Sequence, residues 1–108
     1  MTTSDHLQTE SQFQDTVTEY AGLQGWRWTH FRTAMTGKGW RTPLQGSRGF
    51  PDLVLVRDQR LIFAELKSQR GKKPDQEQRA WLDALKATSG EVYVWRPSDW
   101  DTIVGILK

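Results

Sequence analysis

Residues 49–67 read GFPDLVLVRDQRLIFAELK, and the pairing of the two apolar runs inside this stretch decides the fold. Asp52–Val56 and Leu61–Lys67 are both of strand length, and Arg57–Arg60 supplies the turn between them. A turn symmetric about Asp58 and Gln59 sets Val56 opposite Leu61, Val54 opposite Phe63 and Asp52 opposite Glu65. A two-residue and a four-residue loop give this register, whereas a three-residue loop shifts it. Directly opposed side chains have Cβ atoms about 5 Å apart, and like charges placed there destabilise a sheet. Two facing carboxylates therefore need a reason. A bound hard cation such as Mg²⁺ or Mn²⁺ supplies one, because carboxylate oxygens are the ligands these ions prefer. Lys67 lies two residues beyond Glu65 and projects from the same face of the strand. There an ammonium can position or activate a water, or offset negative charge developing on a phosphate. An isolated E-x-K triplet is most often a strand-end salt bridge, because so short a motif arises by chance. Here three ionisable groups sit in an otherwise apolar hairpin, where each is costly to place.

Outward from the hairpin, both faces of Asp52–Val56 are apolar, as expected of a strand covered on both sides. Upstream, a first helix is expected from Ser11, which has capping-box spacing to Gln14; Phe13, Val17, Tyr20 and Ala21 form its apolar stripe. Gly22 and Gly25 end it, and the alternation from Trp26 to Phe31 suits a strand. Thr33–Gly49, with four glycines and a proline, reads as one long loop, a class usually functional or disordered. Downstream, Pro74 is placed for the first turn of a helix that buries Trp81, Leu82 and Leu85 and stops at Gly90. Glu91–Arg96 alternates as a strand. A last helix, capped by Ser98, sets Trp100, Ile103, Val104 and Leu107 on one face. The order is α-β-β-β-α-β-α, an α/β or α+β domain with helices packed on a mixed sheet. Residues 1–108 make a single domain, and 1–10 are expected to be a flexible tail.

Composition narrows the function classes. No apolar stretch nears the ~20 residues of a spanning helix. The acidic, polar start MTTSDHLQTE does not read as a signal peptide. With no cysteine there is no disulfide scaffold, zinc ribbon or thiol nucleophile, and a cytoplasmic, reducing setting fits. The net charge of +2 hides an asymmetry: residues 1–19 carry four acids and no Lys or Arg, whereas 20–51 carry five bases and no acid. A contiguous basic third is either a solvated loop or a surface for a polyanion.

Gly49-Phe50-Pro51-Asp52 followed by Glu65-Leu66-Lys67 resembles the PD-(D/E)xK nuclease signature. More narrowly, the chain is similar to the VRR-NUC family. Gln78-Arg79-Ala80-Trp81-Leu82 resembles that family's Q-x-x-W-L helix, and Val92-Tyr93-Val94-Trp95-Arg96-Pro97 its closing strand. The similarity runs from about Ser11 to Leu107. Lys73 departs from it, since family members often have Ser or Thr there as a helix cap. The resemblance implies a restriction-endonuclease-like core and a metal-dependent DNA endonuclease leaving a 5′-phosphate and a 3′-hydroxyl. It implies Mg²⁺ or Mn²⁺ held by Asp52, Glu65 and the Leu66 carbonyl, with an acid on the first helix, matched by Glu19, holding the metal directly or through water. Lys67 would orient the attacking water, and Gln78 would join the catalytic set. On residues alone Glu19 is an ordinary solvated carboxylate beside an apolar stripe. Gln78 belongs to the buried stripe, where its amide needs a partner in the site or on the backbone.

Small stand-alone members resemble Holliday-junction resolvases that act as homodimers and are commonly phage-encoded in a bacterial host. A four-way junction has two symmetric scissile sites, and a two-fold dimer has two active sites. Flap, nick or plain duplex cleavage is the alternative, as is a non-catalytic nucleic-acid-binding module on the same fold. Lys38, Trp40 and Arg41 mix cations and an aromatic on an acid-free segment, and Arg48 follows them; such a mix suits backbone and base-face contact. Arg70, Lys72 and Lys73 follow Lys67 and would lie near a phosphate held there, without reading sequence. His30, a lone histidine among aromatics, is more often structural than catalytic.

Overall fold

The computed structural model describes residues 3–31, 34–36, 39–41 and 45–108, with side chains described over 5–31 and 45–108. The chain runs through α1 (Thr3–Leu7), α2 (Glu10–Leu23), β1 (Arg27–His30), β2 (Ala34–Thr36) and β3 (Gly39–Arg41). It continues through β4 (Leu53–Arg57), β5 (Arg60–Leu66), α3 (Gln76–Lys86), β6 (Glu91–Trp95), a 3-10 turn at Pro97–Asp99 and α4 (Trp100–Leu107). Strands β1, β4, β5 and β6 form one mixed sheet in that order, antiparallel except for β6, which pairs parallel to β5. Helix α3 makes the crossover that a parallel pair requires.

The hairpin register is the expected one: Val56 pairs with Leu61, Val54 with Phe63 and Leu53 with Ala64 around a two-residue turn at Asp58 and Gln59. Asp58 takes a left-handed conformation (φ 54°), which Asp tolerates through its short polar side chain. Leu53, Leu55, Ile62, Ala64 and Leu66 point to one face and are fully buried. Phe13, Val17 and Ala21 of α2 and Ile103 and Leu107 of α4 pack into the same cluster. At the turn end, the Arg57 guanidinium donates to the Gln24 and Leu107 carbonyls (2.9 and 3.0 Å), tying the ends of α2 and α4 to the hairpin.

The opposite face is covered unevenly, which corrects the expectation of full cover. Phe50 stands over it, edge-on to Phe31, Phe63 and Trp81 at 5.7, 5.8 and 5.0 Å. Val56 and Leu61 remain 41% and 38% exposed, because they lie at the end of the hairpin away from Phe50. On α3, Leu82 is buried while Trp81 and Leu85 are half-buried.

Local differences from the sequence reading have local causes. Helix α2 starts earlier than Ser11, because Thr9 and Gln12 form the capping box (Gln12 N–H to Thr9 Oγ1, 3.1 Å; Thr9 N–H to Gln12 Oε1, 2.9 Å). Residues 3–7 are helical. The 33–49 segment contains the β2–β3 hairpin. Helix α3 is capped by Asp75 in a capping box with Gln78, so the departure at Lys73 is without consequence for the cap. Ahead of α4 it is the Asp99 carboxylate that takes the Arg96 N–H (2.8 Å), while Ser98 makes no cap through its side chain.

Gly49 is the tightest point of the fold. Its φ is +96°, and a Cβ there would lie 2.6 Å from the Glu77 carbonyl carbon and 2.7 Å from the Gln78 nitrogen, both backbone atoms. The loop carrying Phe50, Pro51 and Asp52 is thereby pressed onto the first turn of α3. Gly49→Ala combines a strained φ with backbone overlap, and is expected to lower stability by about 2–4 kcal/mol in denaturant unfolding.

Candidate active site

Asp52 sits one residue before β4. Its carbonyl accepts the Phe31 N–H (2.9 Å), and its carboxylate Oδ2 accepts the Leu66 N–H (2.9 Å). The carboxylate is thus turned across the hairpin toward the end of β5, where Glu65 and Lys67 project. Glu65 is 2% exposed. Its Oε1 accepts the Gln78 Nε2 amide (3.1 Å) and lies 3.5 Å from Lys67 Nζ. Lys67 Nζ also donates to Gln78 Oε1 (3.3 Å).

Gln78 cannot flip in this setting. Its Oε1 takes the Asp75 N–H (2.9 Å) as well as Lys67, which fixes its NH₂ group on Glu65. A residue required by the helix cap therefore also bridges the acid and the lysine. That answers where the amide expected in the buried stripe finds its partners.

With Oε1 satisfied, Glu65 Oε2 is buried and no donor reaches it. The Asp52 carboxylate lies close enough to Glu65 for the two charges to repel each other. Accordingly the Glu65 pKa is pushed up to about 8. Desolvation is the largest cause, then the Asp52 charge, with Lys67 pulling the other way. A buried acceptor without a donor, in a pair of carboxylates that repel each other, is a site to which a cation would bring large relief. The donors are oxygens, which fit a hard divalent ion. Among the described residues no group of three or more His, Cys, Asp or Glu side chains is placed to hold a metal. Further ligands would have to be main-chain oxygens, such as the Leu66 carbonyl, or water, and Mg²⁺ characteristically keeps several waters.

Glu19 is exposed on α2, about 13 Å further along the helix axis than Glu10. Glu10, the first residue of α2, is exposed as well and lies within the field of Asp52 and Lys67. Its pKa is raised by desolvation and then by the Asp52 charge, against a lowering by Lys67. The signal for it lay in the Thr9–Gln12 spacing, which starts the helix early enough to bring Glu10 to its first position.

Of the expected DNA contacts, Arg48, Arg70, Lys72 and Lys73 are exposed. Arg48 lines a groove of about 530 Å³ with Trp81, Ala80, Ala84, Glu77 and Ser47. Arg70 Nε donates to His6 Nδ1 (3.0 Å), which ties α1 to the turn after β5. Lys38 and the side chains of Trp40 and Arg41 lie outside the described residues. His30 pairs with Leu53 in the β1–β4 ladder and faces away from the carboxylate pair. No helix among the described residues is long and apolar enough to cross a membrane.

Compared with models of known protein families, the chain matches none, and no curated protein matches it either.

Proposed function

We propose that this protein is a metal-dependent DNA endonuclease of the PD-(D/E)xK type, similar to the VRR-NUC family and built on a restriction-endonuclease-like core. The observation that carries the reading is the buried, donor-free Oε2 of Glu65 beside the Asp52 carboxylate, with Lys67 3.5 Å from the other Glu65 oxygen. A strand-end salt bridge alone would need neither the second carboxylate nor the glutamine that locks the first. Asp52, Glu65 and the Leu66 carbonyl would hold Mg²⁺ or Mn²⁺, with Glu10 acting from the rim directly or through water. A bound ion of this kind supplies Lewis-acid stabilisation of the phosphorane-like charge and lowers the pKa of water. Lys67, aimed by Gln78, orients the attacking water and offsets charge on the phosphate oxygens. Gln78 keeps Glu65 Oε1 engaged, so that Oε2 is the oxygen that would be left to hold the cation.

Branched DNA is the proposed substrate, cut by a two-fold homodimer whose paired sites match the two scissile positions of a four-way junction. The test is cleavage of labelled four-way junction, flap and linear duplex DNA in Mn²⁺ or EDTA, with Lys67→Ala alongside. We expect symmetric paired nicks on the junction, abolished by EDTA and reduced about 10²–10⁴-fold in Lys67→Ala, the range for losing a group that assists proton transfer. Equal cutting of every substrate would leave the nuclease and remove the junction. Binding without metal-dependent cutting would favour the non-catalytic module.

A further inference from the structure

Arg96, the residue after β6, takes no part in the site just described, yet its guanidinium gathers three backbone carbonyls of one turn. Nη1 donates to the Ser68 carbonyl (2.5 Å) and the Gly71 carbonyl (3.1 Å), and Nη2 to the Lys72 carbonyl (3.4 Å). These carbonyls belong to the turn that leaves Lys67 and carries Arg70, Lys72 and Lys73. The turn is tied at further points: Lys67 N–H to the Trp95 carbonyl (3.0 Å), Gly71 N–H to the Ser68 carbonyl (3.1 Å) and Ser98 N–H to Gln69 Oε1 (2.9 Å). Arg96 is itself held, its N–H on Asp99 Oδ2 (2.8 Å).

Two physical consequences follow. Three carbonyl dipoles converging on one point repel each other, so the turn keeps this shape only while a cation with several fixed donors sits among them. The forked guanidinium meets that need and a lysine ammonium does not. In addition, no carboxylate side chain among the described residues pairs with the Arg96 guanidinium, so its charge adds to that of the three exposed cations around it.

We propose that Arg96 is a positioning residue that holds the 68–73 turn as a preformed cationic platform for the phosphates of the DNA strand running past Lys67. This rests on the nuclease reading. Ordering a loose turn on binding costs conformational entropy, a cost the clamp removes before DNA arrives.

The experiment measures DNA affinity in Ca²⁺ and turnover in Mn²⁺ for wild type and Arg96→Lys across a salt series. In Arg96→Lys the dissociation constant is expected to rise roughly 10-fold and the slope of log K against log[salt] to become shallower by about one to two contacts, with turnover at saturating DNA retained. Trypsin should nick after Arg70 and Lys72 faster in the variant than in the wild type. Unchanged affinity and slope in a DNA-binding wild type would overturn this inference alone, even with faster nicking, since Arg96 would then be merely structural. A wild type that does not bind DNA at all would overturn the nuclease reading and this inference together. Should Arg96→Lys not fold, Lys72→Gln/Lys73→Gln leaves the clamp in place and must itself give the shallower slope. Rapid nicking of the wild-type turn would equally contradict a preformed platform.

Discussion

Asp52→Ala is expected to lower metal-dependent DNA cleavage by about 10³-fold or more, the scale of several kcal/mol of charge stabilisation at phosphorus. The loss should not come from unfolding, because two effects on stability oppose each other. The Leu66 N–H loses its acceptor, at about 1–3 kcal/mol for a buried donor left unpaired. Against that, Glu65 loses the neighbouring negative charge that contributes to its raised pKa. A folded variant, by circular dichroism and thermal unfolding, that fails to cleave across a Mn²⁺ titration is the expected outcome. Cleavage within tenfold of wild type would remove Asp52 from the site.

The second large effect is on stability, and its sign is opposite to that of an ordinary carboxylate. Glu65 has a folded-state pKa of about 8, well above the ordinary glutamate value that the unfolded chain would show. The native state therefore binds this proton more tightly than the unfolded state does. The contribution is fully present below the unfolded value, near pH 4.5, and is lost as pH rises through about 8. Glu65→Gln replaces the carboxyl with a neutral group of the same shape, which can still accept from Gln78. Without metal, wild type and variant should be about equally stable near pH 4.5, and by pH 8 the variant should lead by on the order of a few kcal/mol. Mn²⁺ should stabilise the wild type at pH 8 and leave Glu65→Gln nearly unmoved, while Glu65→Gln should not cleave. A wild type as stable as the variant at pH 8 without metal would show that the carboxylate pair is not strained.

The geometry of the hairpin was legible because a side-chain period of two leaves few registers. Once Asp58 and Gln59 form the turn, Asp52, Glu65 and Lys67 fall on one face whatever the rest of the chain does. Gln78 was legible as an amide in a buried stripe, though its two-sided bond to Glu65 and Lys67 depends on where α3 lands. The start of α2 was only half legible. Thr9–Gln12 and Ser11–Gln14 both have capping-box spacing, and nothing local chooses between them; packing of Phe13, Val17 and Ala21 against the sheet decides where the helix begins. The β2–β3 hairpin was hidden for a different reason. Its strands have three residues each, too short for an alternation pattern to stand out among glycines. The Asp75 cap was missed because Pro74 suits the first turn of a helix as well as the residue before a cap.

The most direct test is nicking of supercoiled plasmid by the wild type and by Glu65→Gln in Mn²⁺, Mg²⁺, Ca²⁺ and EDTA at pH 8. Nicking is expected from the wild type in Mn²⁺, none in EDTA, and none from a Glu65→Gln protein that is folded and more stable than the wild type without metal. Wild type inert in both Mn²⁺ and Mg²⁺, or a Glu65→Gln protein that nicks as well as the wild type, would contradict the nuclease reading.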